Sequence, residues 1–64
     1  MIKKLAELAK EENVVLYYCI GPDNAITITV LAKHRDFISI NALSFSDDEI
    51  IEITKGIIRR AKND

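Results

Sequence analysis

Val14-Val15-Leu16-Tyr17-Tyr18-Cys19-Ile20-Gly21-Pro22-Asp23-Asn24-Ala25-Ile26-Thr27-Ile28-Thr29-Val30-Leu31-Ala32 holds two apolar, β-branched runs around one Gly-Pro-Asp-Asn cluster. Val14–Ile20 is continuously apolar and reads as a strand. Ala25–Ala32 reads as a second, with Thr27 and Thr29 alternating against Ile26, Ile28 and Val30. Pro22 and Asp23 suit the two right-handed positions of a type I turn, and Asn24 suits a left-handed third. That three-residue loop sets Gly21 opposite Ala25 and pairs Ile20 with Ile26, Tyr18 with Ile28, Leu16 with Val30 and Val14 with Ala32. A four-residue loop would move the register by one and turn one strand's apolar set to the wrong face.

Downstream, Lys33-His34-Arg35-Asp36 reads as a second turn. Phe37–Leu43 reads as a third strand, Ser39 and Asn41 alternating against Ile38, Ile40 and Ala42. Upstream, Ile2, Leu5, Ala6, Leu8 and Ala9 recur at helical spacing, and Asn13 suits a left-handed helix end. Near the C-terminus, Ser46 and Glu49 form a capping box, flanked by Phe45 and Ile50 at staple positions. Asp47, Asp48 and Glu49 complement the positive end of that helix, and Arg59, Arg60 and Lys62 its negative end. Ile50, Ile53, Ile57, Ile58 and Ala61 form its buried stripe, and Ile51 widens the stripe beyond one sheet contact. The expected fold is α+β, in the order α-β-β-β-α: a single domain over residues 1–64, a three-stranded antiparallel meander with both helices on one face.

Size limits how such a domain is held together. The chain has 64 residues, and a domain of that size buries only about 60% of its unfolded surface. Small domains compensate with disulfides, metals or association. A single cysteine, Cys19, excludes an intrachain disulfide, and Cys19 with the one histidine, His34, falls short of a four-ligand zinc set. Association remains. A net charge of −1 leaves no basic nucleic-acid footprint, and the apolar runs are too short to span a bilayer. Glu7, Glu11 and Glu12 interrupt any signal-peptide core, so a reducing cytosol is the expected compartment.

The register divides the sheet into two faces. Val14, Leu16, Tyr18, Ile20, Ile26, Ile28, Val30, Ile38, Ile40 and Ala42 form the core face. Val15, Tyr17, Cys19, Thr27, Thr29, Leu31, Phe37, Ser39 and Asn41 form the other, with nothing left to cover it. Free antiparallel faces are normally polar, and this mixture of aromatics, aliphatics and hydroxyls reads as an interaction surface. The plainer alternative is a Thr-rich solvated face. Tyr17, Thr27, Thr29, Ser39 and Asn41 could orient a small polar ligand between apolar walls formed with Leu31 and Phe37. His34 and Arg35 could hold a phosphate or carboxylate, Arg as a bidentate fork. Each has an ordinary structural reading, as strand formers and as a solvated hairpin tip. Cys19 has no base on its face and reads as a small half-buried hydrophobe. No catalytic residues, metal or cofactor are expected.

The helix–three-strand–helix order, the small size and the hairpin segment Asp23-Asn24-Ala25-Ile26-Thr27 resemble a family of small prophage anti-CRISPR proteins that block a type II effector nuclease. The resemblance implies a phage-encoded inhibitor acting by binding in a host cytoplasm. That family is strongly acidic and occupies a DNA-binding groove, whereas this chain is nearly neutral, so no functional residue carries over. The expectation is a non-enzymatic homo-oligomer, a dimer or higher, that sequesters a small nucleotide-like ligand in counter-defence without direct nucleic-acid or membrane contact. The alternatives are an inhibitor docking its open face on a host nuclease or other defence protein, and a structural accessory domain.

Overall fold

In a computed structural model, which describes residues 1–63, helix α1 spans Ile2–Glu12 and is followed by strands β1 (Val15–Ile20), β2 (Ala25–Leu31) and β3 (Arg35–Asn41) and helix α2 (Asp47–Lys62). The strands form one antiparallel sheet in the order β1-β2-β3. This is the α-β-β-β-α meander expected from the apolar pattern.

Asn13 ends α1 in the left-handed conformation, φ 55° and ψ 49°. Its N–H reaches the Lys10 carbonyl and the Val14 N–H the Ala9 carbonyl, the paired bonds of a Schellman cap. Val14 thus spends its N–H on the helix, and β1 begins one residue later than the apolar run suggests. The first hairpin has the expected register: Ile20 faces Ile26, Tyr18 faces Ile28 and Leu16 faces Val30. Its loop differs from a type I turn, because Asp23 (φ 59°) as well as Asn24 (φ 61°) is left-handed.

The second turn is shorter than Lys33–Asp36. Leu31 pairs with Arg35 and Val30 with Asp36, so β3 starts at Arg35 and the reversal falls on residues 32–34. A tertiary contact holds it there: the His34 N–H donates to the Ala61 carbonyl in the last turn of α2 at 2.8 Å. β3 correspondingly ends at Asn41. The Asn41 side chain accepts from the Leu43 N–H, and Ala42–Ser44 forms a short 3-10 turn into α2. Leu43 is therefore exposed and outside the strand.

The capping box of α2 is complete: Glu49 N–H donates to Ser46 Oγ and Ser46 N–H to Glu49 Oε1. Leu8, Ile26, Ile28, Val30, Ile50, Ile57, Ile58 and Ala61 form one buried cluster between the sheet and the helices. α1 lies over β1, and α2 lies over β2 and β3. The helices run parallel, with the Met1 amino group near Asp47 at one end and Lys62 near Glu12 at the other. Ile51 faces α1 across a groove it shares with Lys4, Leu8 and Lys55, which explains the extra width of its stripe. Thr54, absent from that expected stripe, is fully buried, while Ile53 is only half-buried. The Thr54 Oγ1 donates to the Ile50 carbonyl at 2.7 Å, so its burial leaves no polar atom unpaired.

Candidate functional site

The uncovered face of the sheet is arranged in rows by the strand pairing. One row is Val15, Leu31 and Arg35; the next is Tyr17, Thr29 and Phe37; the third is Cys19, Thr27 and Ser39; Ala25 and Asn41 close the series. Tyr17 is 50% exposed and Phe37 56%, yet Thr29 between them is only 8% exposed. Cross-strand neighbours approach within about 5.5 Å, so the two rings flank the threonine and cover it. Thr29 is accordingly a floor residue, and its hydroxyl is less available than the alternating pattern suggested.

The polar groups are partly committed to one another. Thr27 Oγ1 and Ser39 Oγ lie 2.6 Å apart, a direct hydroxyl pair. The Asn41 carboxamide oxygen caps the turn after β3. His34 sits in the turn, beyond the strand pairs, and its backbone docks on α2. The face therefore brings together Tyr17, Thr27, Thr29, Leu31, Arg35, Phe37 and Ser39, whereas Asn41 lies at its rim with its oxygen engaged and His34 is off it. Cys19 is exposed on the face, not half-buried.

Placing β3 from Arg35 changes the electrostatics of the surface. The face carries one full charge, Arg35, beside Leu31 at one end. Among the described residues no ion pair reaches that guanidinium, while the neighbouring Asp36, turned to the other side, is held by Arg60. Asp36 receives the Arg60 Nε–H at 2.6 Å and the Phe37 N–H at 2.9 Å. The Arg60 hydrogen bond, aided by Phe37 and opposed by desolvation, holds its carboxyl below the usual aspartate range. Among the described residues no cluster of His, Cys, Asp and Glu is placed to hold a metal ion, and no helix is long and apolar enough to cross a membrane. No known protein family, curated protein or solved structure matches the chain.

Proposed function

We propose that the chain is a non-enzymatic binding protein that works as a homo-oligomer and engages its ligand through the open sheet face. The observation that carries this reading is the exposure of Val15, Tyr17 and Phe37, with Leu31, on one contiguous surface whose single charge stands at its edge. Aromatics and arginine on a flat, weakly charged patch are the groups that dominate binding energy at interfaces. A nucleotide-like molecule suits the surface: its base stacks on Tyr17 or Phe37, and its phosphate meets the Arg35 fork. In the setting that the anti-CRISPR resemblance implies, sequestering such a signal is a counter-defence activity.

A second reading is a protein–protein inhibitor docking the same face on a host defence protein, favoured by the Thr27–Ser39 pair, which spends one of the face's hydroxyl donors within the sheet. Native mass spectrometry of the protein purified from its host separates the two. A retained nucleotide-sized mass supports sequestration, and a stoichiometric polypeptide supports the inhibitor. Leu31→Asp and Phe37→Asp should each lose the retained species while circular dichroism stays unchanged. Retention by both variants would remove the open face from the function.

A further inference from the structure

The two edges of the sheet are not equivalent. Gly21 N–H donates to the Ala25 carbonyl, so by antiparallel alternation Cys19, Tyr17 and Val15 turn their N–H and C=O groups toward β2. Leu16, Tyr18 and Ile20 turn theirs outward from the sheet. Among the described residues no hydrogen bond outside the strand ladders reaches them. β1 has no charge, no proline and no bulge, the devices that normally protect an edge. β3 has such protection: it opens with Arg35 and Asp36, and its outward Phe37 N–H is taken by the Asp36 carboxylate.

The flank of α1 above the bare edge is apolar too. Lys4 and Leu8 line the groove to α2 with Glu7 and Glu11. At 100° per residue, Ile2, Ala6 and Ala9 lie on the opposite flank, away from α2 and beyond the β1 edge. Ile2 is 60% exposed and Ala6 is exposed. Lys3 and Lys10 border this strip on its solvent side. Ile20, a core-face residue by register, is 68% exposed at the end of β1.

We propose that a second copy of this chain occupies the strip, pairing β1 with β1 antiparallel about a two-fold axis at Tyr18 and joining two sheets into one. The outward groups are spaced symmetrically about Tyr18, so the strand is its own complement: Tyr18 pairs with the partner's Tyr18, and Leu16 with the partner's Ile20. That pairing gives the exposed Ile20 an apolar neighbour. The same axis lays the α1 flanks side by side, where Ala6 and Ala9 allow close approach. A strand edge alone falls short of the roughly 1,200 Å² of a stable interface, and the exposed Ile2 and Ala6 of the helix flank extend the apolar contact beyond it. No charge in β1 opposes its own copy. The inference rests on the homo-oligomer proposed above and assigns its interface, leaving the open face free and doubling its extent.

Sedimentation equilibrium at micromolar concentration tests it on three variants. Ile20→Pro deletes an outward N–H that β2 does not use, at a position where proline is tolerated on edges. Ala6→Glu charges the helix flank. Phe37→Asp charges the open face. The wild-type protein and Phe37→Asp should have twice the chain mass, and Ile20→Pro and Ala6→Glu half of that, with unchanged circular dichroism. In wild type, amide exchange at Leu16, Tyr18 and Ile20 should slow as concentration rises, a readout that needs no variant. A dimer that survives Ile20→Pro and Ala6→Glu but is lost in Phe37→Asp overturns the edge interface while the oligomer stands. A monomeric wild type overturns both and leaves the edge to a strand of another protein.

Discussion

Arg60 Nε–H donates a 2.6 Å hydrogen bond to Asp36 Oδ2, joining the start of β3 to the last turn of α2. The other oxygen of the same carboxylate accepts the Phe37 N–H, so one side chain fastens the hairpin to the helix and occupies one outward N–H of β3. Because the folded carboxyl titrates below its unfolded value, the contribution is present above the ordinary aspartate pKa of about 3.9. It is lost as pH falls through the lowered folded value. Asp36→Asn should therefore lower the urea midpoint at pH 7, and the gap from wild type should close on acidification. A gap that stays constant into strong acid would show that the pair contributes nothing through charge. The pair is partly solvated, so the effect is modest.

Gly56 stands inside α2, and a Cβ added there would meet no atom within 4 Å. Glycine in a helix interior costs about 0.5–1 kcal/mol relative to alanine through unfolded-chain entropy. Gly56→Ala should raise stability by about that amount, or roughly 4–8 °C in Tm for a domain this small. Thermal melts followed by circular dichroism check it. A lowered Tm would mean that this part of α2 is covered by something, such as a further subunit.

Thr54 offers a sharper test of how its burial is achieved. Among the described residues its hydroxyl bonds only to the Ile50 carbonyl of its own helix. Thr54→Val removes the hydroxyl while keeping the shape, and the Ile50 carbonyl keeps the N–H of residue 54 as its helical partner, so it should be neutral within about 1 kcal/mol. Thr54→Ala leaves a methyl-sized void and should cost more, about 1–2 kcal/mol. Chemical denaturation of the two variants distinguishes these. A large loss in Thr54→Val would assign the hydroxyl a second partner.

These contacts mark where the sequence stops being legible. The hairpin at Gly21–Ala25, the Asn13 cap and the Ser46–Glu49 box are local, and each depends on residue types within a few positions. The reversal at residues 32–34 is not local: it holds no glycine, proline or asparagine and is set by the Ala61 carbonyl, distant in sequence. That displaced Arg35 from the expected turn onto the open face. The face itself was readable from period-two alternation. The burial of Thr29 was not, because it depends on two aromatic neighbours from different strands. Thr54 was missed for a related reason, since a hydroxyl that back-bonds within its helix carries no apolar signature.

The loop of the first hairpin makes a final, local claim. Asp23 and Asn24 both have positive φ, a region that costs most L-residues roughly 1–2 kcal/mol and that Asn, Asp and Gly tolerate best. Asn24→Ala should therefore lose about 1 kcal/mol, and Asn24→Gly should recover most of it. A right-handed Asp23, as in a type I turn, would make Asp23→Ala harmless. With φ at 59° it should instead cost about as much as Asn24→Ala, and Asp23→Gly should not. Because the apolar pairs Ile20–Ile26, Tyr18–Ile28 and Leu16–Val30 hold the β1–β2 register, the penalty should appear as a lower denaturation midpoint without altered strand pairing. Nuclear Overhauser contacts between Tyr18 and Ile28 would report on that pairing. Loss of those contacts in Asp23→Ala would mean that the loop, more than the apolar faces, holds the register.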